Sequence, residues 1–78
     1  GKKETKKKLS YLEQKEWETI EDEIAELEEQ ISELQEEMNH QGDNFTRLQE
    51  LQANVSQAES KLDEKMARWE YLSEWVED

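Results

Sequence analysis

Apolar residues in the first half of the chain fall at Trp17, Ile20, Ile24, Leu27, Ile31, Leu34 and Met38, with spacings that alternate between three and four. This is the seven-residue repeat of a helix packed along one narrow seam. Trp17, Ile24, Ile31 and Met38 take its a positions, and Ile20, Leu27 and Leu34 its d positions. Nearly every other position is Glu, Gln, Asp or Ser, so the rest of the helix faces water. Upstream, Ser10 followed three residues later by Glu13 has the pattern of a capping box, in which each side chain satisfies a backbone N–H at the helix start. The pattern predicts a helix over 10–40.

The seam stops at Asn39, His40, Gln41, Gly42, Asp43 and Asn44. Gly42 is suited to the left-handed conformation that ends a helix, and Asp43 or Asn44 to capping the next. A second repeat runs through Leu48, Leu51, Val55, Ala58, Leu62, Trp69, Leu72 and Val76, broken at one d position by Lys65 with Met66 beside it. Phe45 is expected to cover the turn. A short loop makes the helices antiparallel neighbours, so facing residues should have position numbers with a constant total. Trp17 with Trp69, Ile24 with Leu62, Ile31 with Val55 and Met38 with Leu48 all give 86, while Leu27 with Ala58 and Leu34 with Leu51 give 85. Two separately read stripes agree. The fold expected is all-α: an antiparallel two-helix coiled-coil hairpin over 10–78, with a turn at 41–44, a second helix over 45–77 and a disordered basic leash over 1–9. Lys65 opposite Ile20 and Glu13 opposite Leu72 are the mismatches.

Composition sharpens this reading. Only 32% of the 78 residues are hydrophobic and 41% are charged, below the roughly 45–50% apolar content of a globular domain, so a thick core is excluded. Charge is divided: residues 1–8 hold five lysines and one glutamate, net +4, and residues 9–78 hold twenty-one acids and five bases, net −16. The leash has no apolar residue to offset its ordering entropy. Gly1 reads as a remnant of tag cleavage on a fragment of a longer chain. Helix one has twelve acids and one Lys between Glu13 and Glu37. That repulsion favours a monomer, with weak self-association at low pH or high salt. No run approaches the roughly 18 apolar residues of a membrane span, and the absence of cysteine fits an intracellular setting.

No enzyme mechanism can be assembled, because there is one His, no Cys and no enclosed pocket between two helices to shift a carboxylate. His40 reads as a solvated turn residue. The acid clusters lack the glycine-turned backbone of a calcium loop, and two isolated glycines cannot cradle phosphate. Two features invite a partner. Lys2, Lys3, Lys6, Lys7 and Lys8 are suited to phosphate contacts of sequence-independent, salt-dependent affinity. Tyr11, Tyr71 and Trp75 gather at the open end of the hairpin among apolar residues that cannot all face the seam; Tyr71 and Trp75 are expected to be partly exposed, and the group either wraps the frayed helix ends or offers a docking patch.

The segments Leu9-Ser10-Tyr11-Leu12-Glu13-Gln14-Lys15-Glu16, Ile24-Ala25-Glu26-Leu27-Glu28 and Arg68-Trp69-Glu70-Tyr71-Leu72 follow in order behind a lysine-rich lead-in. Together they resemble the C-terminal coiled-coil domain of Uup-like ABC-F ATPases, which join two nucleotide-binding domains in one chain without membrane spans. Departures are Leu12 in place of the usual Lys, Glu21 where many members have a helix-kinking Pro, and a turn without the frequent Asp-Pro. The resemblance implies a cytoplasmic parent that hydrolyses ATP with Mg in upstream domains, this fragment needing no cofactor. It also implies work around the ribosome or nucleic acid, with this domain assisting association with DNA or ribosomal RNA. The alternative is a structural module that docks on its own upstream ATPase domains or a protein partner, without binding nucleic acid.

Overall fold

Two helices, α1 (Tyr11–Met38) and α2 (Phe45–Ser73), fold back on each other in the computed structural model, which describes residues 8–76. The capping box forms in full: the Glu13 N–H donates to Ser10 Oγ at 3.2 Å, and the Ser10 N–H donates to Glu13 Oε1 at 3.0 Å. Helix α1 stops at Met38, two residues short of the expected end. The cause is a tightening of the last turn, in which the Asn39 N–H bonds both Gln35 O and Glu36 O and the His40 N–H bonds Glu37 O. Gln41 Nε2 also donates to Glu37 O. Gly42, at φ +60°, then reverses the chain.

Asn44 rather than Asp43 caps α2, its side chain accepting the Arg47 N–H at 3.3 Å. Phe45 does not cover the turn; it is the first residue of α2 and 68% exposed. Its position faces residue 41, beyond the end of α1, so no helix remains for it to pack on. At the far end α2 stops at Ser73 instead of 77. There the Glu74 and Trp75 N–H groups turn to the carbonyls of Tyr71 and Leu72, and Ser73 Oγ donates to Glu70 O at 2.8 Å.

The seam follows the register read from the numbering. Trp17 and Trp69 stack with ring centroids 5.8 Å apart. Ile31, Val55 and Ala58 form the buried centre, with Leu34, Met38 and Leu62 packed against it. Ile20, Leu51 and Leu72 are fully buried. Both mismatches are accommodated. Lys65, at a d position opposite Ile20, turns its ammonium outward to Glu23 Oε1 at 2.7 Å, and Glu13 spends its carboxylate on the cap. The result is a rod of 58 × 21 × 17 Å.

Positions beside the seam divide by charge. On one flank the g positions of α1 are Glu16, Glu23, Gln30 and Glu37, and those of α2 are Arg47, Asn54, Lys61 and Arg68. Arg68 Nε and Nη2 grip Glu16 Oε2 and Oε1 at 2.8 and 3.1 Å, and Arg47 Nη2 meets Glu37 Oε2 at 2.7 Å. On the other flank the e positions are Gln14, Glu21, Glu28 and Gln35 on α1, and Gln52, Glu59, Met66 and Ser73 on α2. Among the described residues that flank holds no cation. Its cross-helix hydrogen bond is Trp69 Nε1 to Glu21 Oε2 at 3.2 Å. Charges beside the seam select orientation in coiled coils, and acid on α1 opposite base on α2 favours this antiparallel pairing.

Candidate functional site

The open end is where the chain enters α1 and leaves α2. Tyr71 and Trp75 stand one helical turn apart on the last stretch of the chain, half-buried, with ring centroids 6.2 Å apart and planes tilted by 56°. Partial exposure of both agrees with their heptad positions. The Arg68 guanidinium lies over the Tyr71 ring at 5.1 Å while gripping Glu16, so the aromatic pair is tied to α1 through an ion pair. Tyr11 is different. It opens α1, is 73% exposed, and has Lys15 Nζ 5.7 Å from its ring centroid. Leu12 beside it is 76% exposed.

Electrostatics at this end come from the ion-paired flank. Hydrogen bonds to Glu16 raise the Arg68 guanidinium pKa further above its ordinary value, against a smaller opposing effect of burial. Arg47, at the turn end, is raised in the same way by its hydrogen bonds to Glu37 and then Glu50. Both arginines are paired with carboxylates across the interface, with about two-fifths of each side chain still exposed.

Of the five lysines assigned to phosphate contact, Lys2, Lys3, Lys6 and Lys7 lie outside the described residues; Lys8 is exposed, two residues before the capping-box Ser10. His40 lies in the turn with its side chain exposed, Nε2 3.7 Å from Glu36 Oε2. Among the described residues no group of His, Cys, Asp and Glu could hold a metal ion, and no helix is long and apolar enough to cross a membrane. The sequence reading missed the roles of Arg68 and Lys65 across the interface and the Trp69–Glu21 hydrogen bond. The heptad frame held the signal at the positions flanking a and d.

Residues 8–74 match the model of the ABC transporter C-terminal domain. Over 76 residues, 97% of its length, the chain is 41% identical to the uncharacterized ABC transporter ATP-binding protein YfmR of Bacillus subtilis (strain 168), of which it spans 12%. No solved structure gives a significant match. The matched span starts at Lys8, just before the capping box, and takes in both helices, so sequence kinship and architecture coincide. The chain belongs to the ABC transporter C-terminal domain family.

Proposed function

We propose that this domain is an accessory arm of a cytoplasmic ABC-F-type ATPase, assisting the association of the parent protein with DNA or ribosomal RNA. Lys2, Lys3, Lys6, Lys7 and Lys8 make the phosphate contacts, and the hairpin is a spacer with no catalytic role. ATP and Mg belong to the upstream domains. The observation behind this reading is where the cations are. Arg47, Lys65 and Arg68 are engaged by Glu37, Glu23 and Glu16, so neither helix has a basic stripe, and the sequence concentrates its positive charge, net +4, in residues 1–8. Titration of labelled DNA and RNA tests it. Replacing the five lysines by Gln should weaken binding by more than about tenfold and flatten its salt dependence. Equal affinity before and after would end this reading.

A second reading has one specific observation behind it. Tyr11 and Leu12, 73% and 76% exposed, sit where the chain arrives from upstream, as a surface docking on the parent's own ATPase domains would. In the intact parent, Tyr11 and Leu12 would then be shielded from covalent footprinting and become reactive once the domain is excised; equal reactivity in both would exclude docking.

A further inference from the structure

The flank without cations has an open groove of about 390 Å³ lined by Glu21, Ile24, Met66, Trp69 and Glu70. Its floor is apolar: Ile24 is half-buried, and Met66, at an e position where a coiled coil ordinarily has a charged residue, is 48% exposed. Its rim is acidic. Among the described residues the Glu21 carboxylate accepts the neutral indole N–H of Trp69 at the rim and faces no cation. The Glu70 carboxylate makes no hydrogen bond or ion pair among the described residues. Farther along the same side, Glu28 on α1 and Glu59 and Asp63 on α2 are exposed and extend the negative edge. On the opposite flank the corresponding acids each face a base of the other helix.

We infer that this groove is a docking site for a basic amphipathic segment of a partner protein. A large apolar side chain of the segment sits between Met66 and Trp69, and flanking Lys or Arg side chains reach Glu21 and Glu70. Lysine and arginine suit the site because their aliphatic stems cover apolar surface while their charged ends stay at the rim, and the face of Trp69 attracts a cation besides. Charge complementarity decides the occupant. A nucleic acid or an anionic lipid surface would meet uncompensated carboxylates. A second copy of the chain would oppose the same acid flank to its own, or offer arginines already engaged by Glu16 and Glu37. The net −16 over residues 9–78 steers a cationic partner towards the rod, and the groove fixes where it stops.

The test uses the whole chain and a labelled, amidated peptide of Leu and Lys about five helical turns long, with leucines at spacings of three and four. The control peptide has every Leu replaced by Ala and the same charge. Binding is read by anisotropy of the label and by tryptophan emission, because Trp69 lines the groove. The Leu peptide should bind more than about tenfold tighter than the Ala peptide. Glu70→Lys and Met66→Lys, both at exposed positions outside the seam, should each weaken it by about tenfold or more with the helical circular dichroism unchanged. Glu33→Lys, the same charge change on the outer face of α1, should alter binding less than about twofold. Equal weakening by Glu33→Lys and Glu70→Lys, or equal binding of the two peptides, would show attraction to the overall field alone and overturn the site. Neither result touches the nucleic-acid reading, which rests on Lys2, Lys3, Lys6, Lys7 and Lys8 and not on the groove residues.

Discussion

Gly42 is the residue on which the reversal depends, and the space around it separates two sources of cost. A Cβ added there would meet nothing within 4 Å, yet φ is +60°. Gly42→Ala therefore introduces backbone strain without a clash, and should lower stability by about 1 kcal/mol. Gly42→Asn should cost less, because a short polar side chain tolerates the left-handed region. Urea denaturation followed by helical circular dichroism measures both, and equal midpoints for Gly42→Ala and the unaltered chain would mean that the turn relaxes to another conformation. The turn was legible because Gly and Asn act through their own backbone. Phe45 was not: its exposure depends on where α1 stops, and that end is set by the hydrogen bonds of Asn39, His40 and Gln41.

Between the helices, the two seams were readable in advance because burial along a narrow stripe leaves a period in the sequence, and the totals of 85 and 86 tested one seam against the other. The flanks were not read. Their information is a pairing of charge between two distant segments, visible only once the register is accepted. Arg68 is the clearest case, gripping Glu16 with two nitrogens and lying over Tyr71. Arg68→Glu should lower the melting temperature by placing like charges across the interface, and adding Glu16→Arg should restore much of the loss by rebuilding the pair in reverse. If the double variant is no better than Arg68→Glu alone, the stacking on Tyr71 matters and the pair does not. The arginine contributes no pH dependence near neutrality. Its folded-state pKa is raised, so its contribution is complete below the unfolded value and lost only as pH climbs through the higher folded one, beyond the ordinary arginine range.

At the scale of the whole molecule, shape and charge act together. The radius of gyration is 17.6 Å, against roughly 11.5 Å for a compact chain of this length, so the rod has much surface and a core one side chain thick. Across that surface is spread a net charge of −12. Two electrostatic effects of opposite sign follow. Cross-helix pairs at Glu16, Glu23 and Glu37 attract, while acids along α1 and on the cation-free flank repel one another and the other helix. Raising the ionic strength from about 0.01 M to about 0.15 M shortens the screening length from about 30 Å to about 8 Å. Repulsion between separated carboxylates is lost first, whereas hydrogen-bonded pairs at 2.7 and 2.8 Å sit well inside either length. Added salt should therefore stabilise the hairpin, raising its melting temperature by about 4–8 °C for each 1 kcal/mol of repulsion relieved. The opposite trend would mean that the three cross-helix pairs outweigh the surplus of acid. The cation-free flank would then no longer be a source of unrelieved charge that a basic partner gains by neutralising.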